Sequence, residues 1–300
     1  MRHLRTALVS GLLAVVFFVP GSVAFAAHET TLADATVNLY CRLKSGNKYF
    51  SASGSGVFIS DRGVILTNAH VAQLFLLAAE KGTVSGKCYV RTGSPAKETY
   101  AAEVLYLPSA WIEDNADELR KRAPKGTGEN DFALLYVTDP QKENVLPAHF
   151  PSLSIASAPA REGDTVTVAG YPTHNRGAGA MRRKLAQDTE TIVVTRVRGF
   201  IEGDLDVITL APSRVSADGI SGGPLVNARG EIVGIAVVRS GDVLRAIGLS
   251  YIDRTLTAQT GTTLAGMLAE DLPFRAQISR MLISDKLVAA LRQPLLKLGR

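Results

Sequence analysis

Apolar positions between Thr36 and Tyr251 fall in short runs rich in Val, Ile and Thr and are separated by turns containing glycine, the pattern of β-strands. Six strands are predicted first: Thr36–Leu43, Tyr49–Ser60, Val64–Thr67, Lys87–Arg91, Thr99–Leu107 and Phe132–Val137. Asp61-Arg62-Gly63 is a tight turn, and a short helix fits Val71–Lys81, with Leu74, Leu76 and Leu77 apolar and Gly82 as its stop. A second set follows: Thr165–Tyr171, Thr189–Phe200, Val207–Leu210, Pro224–Asn227, Glu231–Arg239 and Leu244–Tyr251, with Asn227–Gly230 and Ser240–Asp242 as hairpin turns. Six short strands make a small barrel rather than an alternating α/β sheet. The expected fold is therefore all-β, two six-stranded antiparallel barrels over residues 27–140 and 163–253, joined by a proline-containing connection at 141–162. Ser109–Asn130, which holds Trp111, a charged helical run over Ile112–Arg122 and Gly126-Thr127-Gly128, reads as a surface insertion on the loop leading to Asp131. After Asp253 the pattern turns helical, with Leu282, Val288, Leu291 and Leu295 apolar; this segment, 254–300, is expected to pack against the second barrel.

The first residues are set apart from that fold. Arg2 and Arg5 precede an apolar stretch from Ala7 to Pro20, and Ala24-Phe25-Ala26 is an A-x-A cleavage site. Together these predict a secretory signal peptide over residues 1–26. The apolar stretch is shorter than the roughly 20 residues of a membrane span. An apolar content of 46% and a charged content of 20% are those of an ordinary folded protein. The net charge of +5 includes the two arginines of the leader. The basic triplets Arg120–Arg122 and Arg182–Lys184 are short and far apart, so no nucleic-acid footprint is predicted. Cys41 and Cys88 would enter an oxidising compartment, where a pair can form a disulfide. Their spacing fits no zinc pattern, and neither a metal site nor a cofactor is expected.

Candidate chemistry centres on Asp218-Gly219-Ile220-Ser221-Gly222-Gly223-Pro224-Leu225. A serine among glycines stands clear of neighbouring side chains, and Gly219 can adopt backbone angles that turn its N–H toward a bound carbonyl. The N–H groups of Gly219 and Ser221 would then form an oxyanion hole. The hydroxyl also needs a base, and the base an orienting group. Gly219–Gly223 matches the G-x-S-x-G elbow of α/β-hydrolases, whose histidine follows the serine; here His3, His28, His70, His149 and His174 all precede Ser221. The order that remains is His70, Asp131, Ser221. Two of these come from the first barrel and one from the second, which places the site in a cleft between them.

Gly54–Ile59 with Ile65-Leu66-Thr67-Asn68-Ala69-His70-Val71 resembles the histidine block of HtrA/Deg-type trypsin-like serine proteases. Asn130-Asp131-Phe132-Ala133-Leu134-Leu135 resembles their aspartate block, and Gly219–Asn227 their serine block. The resemblance implies a chymotrypsin-like pair of Greek-key barrels and an endopeptidase of the bacterial cell envelope. It implies Ser221 as nucleophile, His70 as general base and then acid, and Asp131 as orienter of the imidazole.

Three departures stand out. Ile220 replaces the family's usual Asn and the Asp of digestive relatives, so activation by a new N-terminus salt-bridging an acid there is not expected. The insertion before Asp131 is longer than usual, and residues 254–300 are too few for the PDZ domain that often follows. In this fold the first and fourth strands of the first barrel are neighbours, which would bring Cys41 and Cys88 together. The position six before the nucleophile, at the base of the specificity pocket, is Val215, and Ile235-Ala236-Val237-Val238 should line it. An uncharged, narrow slot favours small aliphatic residues such as Val, Ala or Ile in unfolded or extended protein substrates; an inward-pointing Arg239 would instead favour acidic ones. The competing expectation is a catalytically silent relative serving as a binding or chaperone module.

Overall fold

The computed structural model describes residues 30–79, 84–115, 128–174, 177–240, 242–283 and 287–291. The leader over 1–26, Gly82, and most of the charged run and Gly126-Thr127 of the insertion lie outside these, as do the side chains of Val238 and Arg239. The first barrel comprises β1 (Thr36–Ser45), β2 (Lys48–Ser60), β3 (Val64–Thr67), β4 (Val84–Thr92), β5 (Lys97–Tyr106) and β6 (Ala133–Pro140). It closes in the order β1-β2-β3-β6-β5-β4. The second comprises β7 (Thr165–Gly170), β8 (Asp188–Arg198), β9 (Val207–Leu210), β10 (Pro224–Val226), β11 (Ile232–Ser240) and β12 (Val243–Gly248), closing as β10-β11-β12-β9-β8-β7. All neighbouring strands are antiparallel, and closure leaves no sheet edge open to other chains. This is a chymotrypsin-like architecture.

Cys41 and Cys88 are direct cross-strand partners on β1 and β4, joined in a disulfide with Cα atoms 4.0 Å apart. Residues of both barrels share one buried cluster, in which Val57, Leu66, Phe132 and Leu134 meet Val226, Ile235, Val237 and Ile247. That shared packing fixes the two barrels against each other, and with them the two halves of any site between them.

Several elements depart from the sequence reading. The first helix, α2 (Ala69–Ala79; a turn at Leu32–Ala35 is α1), begins two residues earlier than Val71 and so includes His70. It is apolar around its circumference, with eight buried residues from Ala69 to Leu77, and such a helix must be covered on every side. Trp111 and Ile112, on α3 (Ser109–Asn115), supply part of the cover: they are 4% and 0% exposed and belong to the same core cluster. The head of the 109–130 segment is therefore core rather than surface insertion. A third difference lies at the C-terminus. The chain leaves the second barrel at Gly248 and enters α5 (Leu249–Thr260), so Leu249–Tyr251 are helical rather than strand. Between β7 and β8 it forms the short α4 (Ala178–Arg183), and after α5 come α6 (Leu264–Ala269) and α7 (Leu272–Leu282). Leu256 of α5, Leu264 and Met267 of α6 and Leu272 and Ala276 of α7 join the cluster shared by the two barrels, and α7 also reaches the first barrel. On α7 the Ser279 hydroxyl bonds the Leu105 carbonyl and Arg280 pairs with Glu103, both on β5, while Val288 and Leu291 join the cluster around α2. The expectation that the whole segment packs on the second barrel is thus corrected: α2 needs apolar cover on its outer side, and the end of the chain provides it.

Candidate active site

His70 stands on the first turn of α2, directly after β3, and Asp131 precedes β6, which pairs with β3. The pairing Thr67↔Ala133 brings the two side chains together. Asp131 Oδ2 lies 2.8 Å from His70 Nδ1, and Oδ1 accepts the His70 backbone N–H at 2.9 Å. A carboxylate gripped at both oxygens has one orientation, and it favours the tautomer with the proton on Nδ1 and a free lone pair on Nε2. Burial by itself would lower the His70 pKa. The charge and hydrogen bond of Asp131 outweigh it, and the net effect is to raise the pKa above the ordinary histidine value. Asn68 donates to the Asp131 carbonyl at 2.8 Å, and the Tyr251 hydroxyl accepts the Asn130 N–H at 2.9 Å, holding Asn130 at φ 56° in the turn before the acid.

Ser221 belongs to the second barrel and sits in a loop tied down at almost every carbonyl. Asp218 O accepts from the backbone N–H and the hydroxyl of Thr173, at 2.7 and 2.9 Å. Gly219 O accepts from the Ser55 hydroxyl at 2.7 Å, Ser221 O from the Ser55 N–H at 2.7 Å, and Ile220 O from the Gly223 N–H at 2.9 Å. With the carbonyls committed on one side, the N–H groups of Gly219 and Ser221 carry no hydrogen bond to any other described residue. Gly219 has φ +94°, and a Cβ there would lie 2.5 Å from the Tyr171 carbonyl; Gly222 has φ +84°, and a Cβ would lie 2.1 Å from the Ser55 carbonyl. Neither position admits a side chain. The Ser221 hydroxyl is 3.3 Å from the Val237 carbonyl on β11; among the described residues it makes no bond to His70.

A family model described as a trypsin-like peptidase domain matches residues 54–235, an interval that contains all three groups. The chain belongs to this family. Curated relatives include serine protease HTRA1B of Danio rerio, 32% identical over 193 residues, covering 63% of this chain and 30% of that protein. Serine protease HTRA3 of Mus musculus is 28% identical over 205 residues, covering 67% of this chain and 34% of that protein. The chain is similar to these HtrA-named serine proteases and spans about a third of the length of the curated relatives it matches.

The structure brings His70 and Asp131 into contact and ties the loop of Ser221 to Ser55 on β2 of the first barrel. The expected pocket residues divide between two faces. Val215 is fully buried in a cluster with Ala236, Leu244 and Ala246, whereas Ile235 and Val237 alternate to the opposite side, in the cluster shared by the barrels. A carboxylate not singled out in the sequence, Glu190, accepts from the Ser213 hydroxyl at 2.8 Å and the Val215 N–H at 3.3 Å. Ser55 and Thr173 were also missed as site residues. Ser55 had one signal, its place in a run of small residues two strands from the histidine; Thr173 had none, because its role comes from a contact spanning 45 positions. The described residues contain no group of three potential metal ligands and no helix long and apolar enough to cross a membrane.

Proposed function

We propose that this peptidase is a serine endopeptidase with His70, Asp131 and Ser221 as its catalytic triad. The observation that carries the proposal is the Asp131–His70 pair, bonded at both carboxylate oxygens; the Ser221 loop, whose Gly219 and Ser221 N–H groups have no partner among the described residues, supports it. When a substrate carbonyl enters, the Ser221 hydroxyl turns from Val237 to His70 Nε2, which takes its proton as the oxygen attacks the carbonyl carbon. Negative charge develops on the carbonyl oxygen, where the N–H groups of Gly219 and Ser221 receive it. The imidazolium, stabilised by Asp131, passes the proton to the departing amine and leaves an acyl-enzyme. Water, deprotonated by the same imidazole, then releases the acid and restores the serine.

The substrates are proposed to be unfolded or extended polypeptides in an exported compartment, periplasmic or extracellular. The leader pattern of residues 1–26 and the Cys41–Cys88 disulfide support export. The cleaved residue is proposed to be small and aliphatic. Val215 and Ala236 offer no charge, and the Glu190 carboxylate is already committed to Ser213 and Val215. Burying a substrate cation or anion beside them unpaired would cost about 2 kcal/mol or more, whereas a valine gains from desolvation.

A fluorophosphonate probe tests the reading: the wild type should be labelled and Ser221→Ala should not. An unlabelled wild type would move the chain to the alternative class, a protease fold used as a binding or chaperone module. Mass-spectrometric profiling on denatured proteins should show cleavage after Val, Ala or Ile, and a dominant preference for Arg and Lys or for Asp and Glu would refute the pocket assignment.

A further inference from the structure

The outer wall of the second barrel carries a hollow of 450 Å³ whose lining includes Thr195, Arg196, Arg198, Thr209 and Arg245 and no acidic residue. Its floor is a row across three neighbouring strands. Arg196 on β8 and Arg245 on β12 are both cross-strand partners of Thr209 on β9. At the strand spacing of about 4.8 Å their Cα atoms are roughly 10 Å apart, within reach of one bound anion above the threonine. Arg198 lies two residues further along β8, and all three arginines are exposed.

These cations differ from others on the surface. Arg214, Arg229, Arg254, Arg275 and Arg280 each pair with a carboxylate. Arg196, Arg198 and Arg245 have no such partner among the described residues. Three nearby acids are engaged elsewhere: Asp206 holds Arg254 and the Phe200 N–H, Asp204 holds Arg254, and Glu162 accepts the Val197 N–H at 3.2 Å. Three like charges lining one hollow repel, and a bound anion relieves that repulsion. Guanidinium groups suit carboxylates, which they can hold through two bonds at once.

Two further observations select the ligand. Val193 on β8 and Ile201 just beyond it, on either side of the arginines in the chain, are 47% and 69% exposed. A partner alternating acidic with apolar groups fits that surface, and polypeptides do so where sulfated polysaccharides and nucleic-acid backbones do not. The hollow is also close to the cleft. Arg245 pairs with Val238 on β11, the residue after Val237, whose carbonyl faces the Ser221 hydroxyl.

We infer that this hollow is an exosite for acidic side chains flanked by apolar ones, in a part of the polypeptide substrate away from the residue cleaved; the inference rests on the endopeptidase reading. Two fluorescent peptides test it, identical around a valine cleavage residue but carrying a Glu-Leu-Glu-Glu or a Gln-Leu-Gln-Gln extension, placed at either end in turn. Binding is measured by anisotropy on Ser221→Ala. The acidic peptide should bind about tenfold more tightly at low salt, and the difference should shrink as salt rises. Adding Arg196→Ser with Arg245→Ser should abolish the difference without changing the melting temperature. In the active background the same pair should remove the preference for the acidic peptide, seen in KM, and leave hydrolysis of the glutamine peptide unchanged. Equal binding of the two peptides, or a preference that survives the double substitution, would overturn the exosite. So would tight binding of heparin through these arginines without discrimination between the peptides, which would assign the hollow to a sulfated polymer. Failure of the wild type to hydrolyse either peptide would count against the endopeptidase reading alone, because binding is read on the serine variant.

Discussion

Replacing Ser55 with alanine would probe how the first barrel controls the serine loop of the second. The Ser55 hydroxyl is fully buried, donates to the Gly219 carbonyl at 2.7 Å and accepts the Tyr171 N–H at 2.9 Å. Ser55→Ala removes both bonds and leaves a buried acceptor and a buried donor unpaired. Each orphan costs about 1–3 kcal/mol, so the total loss is about 2–6 kcal/mol. The Gly219 carbonyl and N–H flank one Cα, so freeing the carbonyl lets the neighbouring N–H swing out of line. Loss of one oxyanion donor costs about 10²–10³ in kcat, and a loosened one should cost less, about 10–10². Ground-state binding does not use the oxyanion contact fully, so KM should change little. The melting temperature should fall by about 4–24 °C, at 2–4 °C per kcal/mol for a chain of this size. The assays are steady-state hydrolysis of a valine-containing peptide well below the variant's melting temperature, and calorimetry on the same samples. A variant that melts lower but keeps kcat within twofold of wild type would refute the reasoning and reduce Ser55 to a tie between barrels.

Asp131→Asn should lower kcat by about 10⁴ through the wrong imidazole tautomer. In the wild type, kcat/KM should fall as pH drops through the His70 pKa, which Asp131 raises, so the acid limb should lie above about 6.5. In Asp131→Asn, with that charge gone, the limb of the residual activity should move to lower pH; an unmoved limb would mean that another group controls it. The same raised pKa makes the Asp131–His70 contribution to stability complete below about 6.5 and lost as pH rises through the folded-state value. Reducing Cys41–Cys88, whose members are 47 residues apart, should cost about 4 kcal/mol at the upper end of what chain entropy allows; denaturant melts with and without reductant give the number, and coincident curves would contradict it. Trp111→Ala, at 4% exposure in the cluster that covers α2, should cost about 3–5 kcal/mol, measured by the same melts, whereas a loss under about 0.5 kcal/mol would return Trp111 to the surface.

Local pattern alone determined much of this protein. Strand runs, turn glycines and the three blocks around His70, Asp131 and Ser221 are short-range signals, because a strand's period and a glycine's freedom are set by adjacent residues. The doubled barrel followed from counting those strands, whereas the Cys41–Cys88 pairing rested on the strand neighbours that the family resemblance implies. What tertiary structure decided were contacts whose partners are far apart in the chain. Ser55 reaches Gly219 across 164 positions, Thr173 reaches Asp218 across 45, and Tyr251 reaches Asn130 across 121; no local pattern distinguishes these side chains from ordinary ones. The same holds for cover. Helix α2 is legible as apolar, but that Trp111, Val288 and Leu291 would bury its outer side depends on where the ends of distant segments arrive. Burial is a property of the assembled surface, so the residues that complete this core and aim this site could be found only once the two barrels were set against each other.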